Sequence, residues 1–190
     1  MAQPPTSGGG GGGAGGQSPT TPPTLPESSA GGATTPGAGA TPEPMPRKVD
    51  DKKFAKDAAL GGMAEVELGK LAAQKASNDA VKQFGQRMVD DHSKANEHLK
   101  QMASKSNIEV PEALDSKHQS RVDKLAKLSG PAFDKAYVKD QLKDHERDVD
   151  DFKSEAQNGS DPNVKQFAMQ TLPTLEEHLS AVKDLKKTVK

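Results

Sequence analysis

Residues 88–99 read Met88-Val-Asp-Asp-His-Ser-Lys-Ala-Asn-Glu-His-Leu99, a stretch with helical periodicity and a histidine in its apolar stripe. Met88, His92, Ala95, Leu99 and, beyond the stretch, Met102 recur at alternating steps of four and three, which on a helix places them on one stripe. His92 therefore stands where a core residue should stand. An unpaired polar group away from water costs about 1–3 kcal/mol in protein mutational data, so a ring in that place needs a partner, and the search for the partner organises the rest of the chain.

Upstream, Asp50 or Asp51 caps a first helix on which Phe54, Ala58, Gly61, Glu65, Leu68 and Ala72 share a stripe, widened by Leu60, Met63 and Leu71. Glu65 interrupts that apolar stripe at its middle. Gly61-Gly62 is costly within a helix and predicts either a close neighbour or a bend. Ser77, Asn78 and Asp79 form a short break, so this helix and the His92 helix, from Asp79 to about Ser104, should be an antiparallel hairpin.

Downstream, Asn107, Pro111 and Asp115 mark a loop, and Ser116 to Leu128 forms a shorter helix with Val122, Leu125 and Leu128 on one side. Gly130-Pro131 ends it, and Pro131 suits the start of the third long helix. Its stripe is Val138, Leu142, His145, Val149, Phe152 and Ala156. Asn158-Gly159 closes that helix, and Asp161-Pro162 opens the last, whose stripe is Val164, Ala168, Thr171, Leu175, His178, Val182, Leu185 and Val189. Pro173 lies inside this run and should kink it. The connection of about 25 residues between the second and third long helices is long enough to cross from one end of a bundle to the other.

Each long helix thus carries one polar residue at an interior, near-central position: Glu65, His92, His145 and His178. Counting rise along the hairpins puts Glu65 and His92 at similar heights, whereas His145 and His178 differ by about 5–7 Å, a mismatch that Pro173 or the loops must absorb. Three imidazoles and a carboxylate suit a single divalent ion such as zinc, iron, manganese or copper, with Asp91 and Asp144 placed to hydrogen-bond the ring nitrogens from behind. The same four residues would also serve as a metal-free polar network that fixes helix register. His98 and His118 fall off the stripes and are expected at the surface. Met63, Met88, Met102 and Met169 read as core filler rather than copper ligands, and Lys139-Asp140 as a solvated helix face.

Composition narrows the function. With 26 basic and 27 acidic residues among 190, no global field attracts nucleic acid. The absence of Cys excludes disulfides, thiolate metal sites and a Cys nucleophile. No run of 18 apolar residues predicts a transmembrane segment, and no phosphate loop or nucleophile elbow is present. Residues 1–46 hold 12 of the 18 Gly and 10 of the 14 Pro, a composition that cannot bury a core. Residues 1–48 are therefore expected to be a disordered Gly/Pro/Ser/Thr-rich arm spanning about 35–40 Å as a flexible coil, and residues 49–190 the helical bundle. The polar, Pro-rich opening Met1-Ala-Gln-Pro-Pro looks like the start of a processed secreted chain with an added Met; without export the chain would be cytoplasmic.

Residues 49–187 resemble a bacterial ferritin-like family known only as a domain of unknown function and often labelled an outer-membrane or periplasmic protein. Three stretches carry the resemblance: Phe54-Ala-Lys-Asp-Ala-Ala-Leu-Gly-Gly-Met-Ala-Glu-Val-Glu-Leu-Gly-Lys-Leu-Ala72, Phe84-Gly-Gln-Arg-Met-Val-Asp-Asp-His92 and Thr171-Leu-Pro-Thr-Leu-Glu-Glu-His-Leu179. It implies an all-α, ferritin-like antiparallel four-helix bundle, here with a short extra helix in the long crossover, and export by a signal peptide to the periplasm or cell envelope. It also implies matching family positions at Glu65, Asp91, His92, His145 and His178, and no established activity. Di-iron ferritins pair Glu with a His three residues on, whereas Val89, Leu142 and Leu175 occupy those positions here, which argues against a di-iron site and against iron storage. The expected role is a non-enzymatic binding or stress-associated protein whose Glu/His cluster holds one metal ion. A structural or interaction module with a metal-free core, partnered by a second copy or an envelope protein, is the alternative, and a metal-dependent oxidoreductase the third.

Overall fold

Asp50, Asn78, Asp115 and Asp161 each place a side-chain oxygen on backbone N–H groups that a helix start leaves unpaired, at 2.8–3.4 Å. In the computed structural model, which describes residues 49–189, these caps open four of the five helices. They are α1 (Asp51–Lys75), α2 (Asp79–Lys105), α3 (Ser116–Ala126), α4 (Gly130–Asn158) and α5 (Pro162–Thr188). No strand occurs among the described residues. The expected arm at residues 1–48 lies outside them. α4 starts differently: Ser129 makes no side-chain cap and Pro131 stands in the first turn, while Gly130 takes a φ of +59° that favours glycine.

Two hairpins, α1 with α2 and α4 with α5, make the main packing pairs, α2 also packs on α5, and α3 lies against α1. Asp134 on α4 accepts from the backbone N–H groups of Ser77 and Asn78 at 3.0 Å each, which fastens the α1–α2 turn to the second hairpin. α5 runs unbroken through Pro173, so the proline interrupts one hydrogen bond without ending the helix.

The two glycine-rich spots on α1 and α2 have different causes. A Cβ on Gly85 would lie 2.8 Å from the Gly69 carbonyl oxygen, and one on Gly69 2.5 Å from that of Gly85, so the two backbones meet face to face there. On Gly62 a Cβ would strike the Asn96 side chain, whereas on Gly61 it would meet nothing. The pair thus marks one close approach and one open space.

Burial along each long helix changes character near its middle. One apolar cluster is built from Leu68, Met88, Phe133, Tyr137 and Val182 among others. A second comprises Phe54, Leu99, Phe152, Phe167 and Leu175 with their neighbours. Glu65, His92, His145 and His178 fall between the members of these clusters on all four long helices, and all are buried. A polar layer therefore separates two apolar cores. Three surface readings need correction. Met169 is 57% exposed and fills no core. His98 and His118 are half-buried rather than exposed: the ring of His98 packs 5.6 Å from that of Phe167, and His118 Nδ1 lies 2.7 Å from Asp115 Oδ1.

Candidate metal centre

α2, α4 and α5 each bring one histidine to the polar layer because each histidine occupies a stripe position flanked by apolar residues a turn away. The rings of His92, His145 and His178 lie 5.4–5.8 Å apart between centroids. One ring nitrogen from each lies within 4.8 Å of one from each of the other two. The height mismatch counted along α4 and α5 is thus absorbed, with His145 and His178 the nearest pair.

Hydrogen bonds fix which nitrogens are free. His145 Nδ1 lies 3.0 Å from the Gln141 carbonyl oxygen, and because a carbonyl only accepts, Nδ1 carries the proton and Nε2 keeps its lone pair. His178 Nε2 lies 2.9 Å from Asp91 Oδ2, which by the same logic leaves its Nδ1 with the lone pair. The ring nitrogens left buried without a partner are His92 Nε2, His145 Nε2 and His178 Nδ1: one per ring. Burial pushes all three imidazoles toward the neutral form. His92 falls to about 3 through burial and then the neighbouring His145 and His178. His145 falls to about 4 by burial and then His178. His178 is lowered by burial against the raising pull of Asp91. At neutral pH the rings present lone pairs, the form that binds metal.

Glu65 is fully buried but stands outside the set of converging nitrogens. Its Oε1 accepts from Arg121 Nη2 at 2.8 Å, while the same guanidinium donates through Nε and Nη2 to Asp140 at 2.6–3.1 Å and through Nη1 to Asp144 at 2.6 Å. Burial raises the Glu65 carboxyl well above its usual range, more than Arg121 lowers it. Asp144 is held at about 2 against its own burial by Glu65, Arg121 and Arg147. One carboxyl of this pair therefore keeps its proton, and Arg121 and Arg147 balance Asp140 and Asp144. Asp144 turns to these arginines rather than to a histidine ring, whereas Asp91 does sit behind His178.

Sequence reasoning missed Arg121, Asp140 and Gln141. A single arginine next to Val122 on a short amphipathic helix has the pattern of a surface residue, and Asp140 reads as a solvated face until α3 is packed across it. Gln141 was findable, because it lies one turn before His145 on the same stripe.

Comparison with known proteins agrees with the helical architecture. The domain of unknown function DUF4142 matches residues 34–185. No curated protein matches the chain. Among solved structures, a DUF305 protein from Streptomyces coelicolor, provisionally described as secreted, is similar with a TM-score of 0.58 at 14% identity, covering 71% of this chain and 90% of that one. At that identity the likeness concerns the fold. No described helix is long and apolar enough to cross a membrane.

Proposed function

The chain belongs to the DUF4142 family, and we propose that it is a cell-envelope metal-binding protein in which His92, His145 and His178 hold one divalent ion. The observation that carries this reading is the set of three buried, partnerless ring nitrogens, one per histidine, two of them on rings whose other nitrogen is already held by Asp91 or by the Gln141 carbonyl. Histidines that bind metal ordinarily donate their second N–H in this way. Left dry and unpaired, three such nitrogens would each cost about 1–3 kcal/mol, and an ion satisfies all three at once. Neutral imidazoles without a thiolate suit zinc, copper or iron, with manganese less favoured by an all-nitrogen set. Three protein ligands leave a further coordination position, but binding rather than turnover is the function proposed.

The fold assigned with this reading is a ferritin-like antiparallel bundle, with its domain beginning at residue 49. Periplasmic or envelope location is supported by the secreted description of the similar Streptomyces coelicolor protein. Glu65 takes no part as a ligand in this account, because Arg121 already claims it. A second reading, a structural polar core, is favoured by that same Arg121, which ties α3 to α1 and α4 without any ion. Titration of chelator-treated protein with Co(II) separates the two. A saturable visible spectrum at one equivalent, absent from a His92→Ala/His178→Ala protein, supports the metal; a featureless titration supports the structural core.

A further inference from the structure

Glu155, on the last turn of α4, is fully buried, and neither of its carboxyl oxygens has a hydrogen-bond partner. Buried polar atoms are ordinarily paired with protein, water or an ion. The surroundings of Glu155 are acidic. A Cβ on Gly159 would strike Glu155 Oε1, and the next backbone N–H, that of Ser160, donates to Asp51 Oδ1 at 2.8 Å, so the carboxyls of Glu155 and Asp51 meet at the Gly159–Ser160 link. Asp161 follows directly in the chain. Its Oδ1 accepts from Ser106 Oγ and from the Asn163 and Val164 N–H groups at 2.6–3.0 Å, whereas its Oδ2, like that of Asp51, accepts no hydrogen bond among the described residues. α4 also ends without a basic residue in its last turn, although the free carbonyls of a helix C-terminus favour positive charge. Lys165 faces this end, but it donates to the Gln157 carbonyl oxygen at 3.1 Å rather than to a carboxyl.

We infer that Glu155 and Asp51 hold a calcium ion where α1, α4 and α5 meet, Glu155 through both oxygens and Asp51 through Oδ2. The inference stands apart from the histidine site, which offers nitrogen. Oxygen-only donors select a hard cation, and a few carboxylate oxygens completed by water suit calcium better than magnesium, which demands near-octahedral geometry. A proton shared with Asp51 would cover one Glu155 oxygen and leave the other unpaired; the ion covers both. Asp161 adds negative charge without joining the ligands. Burial, and then Asp51, push Glu155 up to about 8, so calcium displaces a proton to solvent when it binds. Affinity should therefore fall roughly tenfold for each pH unit below 8. A site with so few carboxylates belongs with weak calcium modules, with a Kd of about 0.1–1 mM.

The test is the Tm of the chelator-treated full chain, measured at constant ionic strength with and without 10 mM CaCl2 as probe, a concentration of about ten times the weakest expected Kd. At pH 8 calcium should raise Tm by about 3 °C or more. At pH 6 the shift should fall below about 1 °C, because protons hold the site. MgCl2 at the same concentration should give less than about half the calcium shift. Glu155→Gln, which keeps the shape of the side chain and removes its charge, should fold and lose the calcium shift. No calcium shift at pH 8 overturns the inference and leaves a shared proton as the partner of Glu155. Equal shifts with magnesium and calcium, an equal calcium shift at pH 6 and pH 8, or a calcium shift that persists in Glu155→Gln each overturn it as well.

Discussion

Asp91 Oδ2 accepts from His178 Nε2 at 2.9 Å, and this contact alone turns Nδ1, not Nε2, toward the other two histidines. The carboxylate orients the ring and raises its basicity as a ligand. Asp91→Ala should therefore weaken metal binding about 10–100-fold with little change in folding, since its other partner, Arg87, is 40% exposed. A chelator-competition titration checks this. Unchanged affinity would mean that His178 is not a ligand.

Arg121 serves three carboxylates, of which Glu65 is wholly buried and Asp144 nearly so. Removing the cation from a buried network strands the opposite charges, at a cost of about 3–5 kcal/mol. Arg121→Leu should lower the urea midpoint accordingly, and Asp144→Asn should recover part of the loss, because it removes a buried charge that Arg121 balances. Losses that simply add in the double variant would show that the two residues do not act as a pair.

Glu155 is buried, both of its carboxyl oxygens lack a partner, and burial followed by Asp51 and Asp161 pushes it up to about 8. A carboxyl whose folded pKa lies above its unfolded value binds more protons folded than unfolded between the two. Its contribution is therefore most favourable below about pH 4.5 and declines as pH rises toward 8. Glu155→Gln should flatten that decline, raising the melting temperature at pH 8 more than at pH 5. A wild-type stability that rises from pH 5 to 8, with Glu155→Gln following it in parallel, would contradict the assignment.

Gly85 and Gly61 should respond in opposite ways to a side chain. Gly85→Val drives methyl groups into the Gly69 backbone and Ala72 and should cost about 1–3 kcal/mol or more. Gly61→Ala adds a methyl where nothing stands and should stabilise the helix by about 0.5–1 kcal/mol. Denaturant melts of the two variants decide this. A neutral Gly85→Val would show that α1 and α2 do not approach each other as described.

Much of this arrangement is written in local sequence. Capping residues and helical stripes expose the helices, because Asp50, Asn78, Asp115 and Asp161 act within a few residues of themselves. His92, His145 and His178 are visible as interior residues because each interrupts an apolar stripe. What is not visible depends on contacts between distant segments. Arg121 and Asp140 are 19 residues apart, and nothing in either neighbourhood says that α3 folds across α4 to join them. Glu65 reads as a fourth ligand for the same reason: its stripe position is evident, but the arginine that binds it comes from 56 residues away. Met169 shows the converse error, since helical spacing alone does not say which side of α5 faces outward.

The most direct test of the metal reading is elemental analysis of the full chain, purified without chelator or nickel affinity and then incubated with zinc, copper or iron, beside the His92→Ala/His178→Ala protein. The account predicts close to one ion per chain in the wild type and its loss in a double variant that keeps its helical circular dichroism. A wild type that holds no metal after reconstitution, or a folded double variant that holds as much as the wild type, would contradict it.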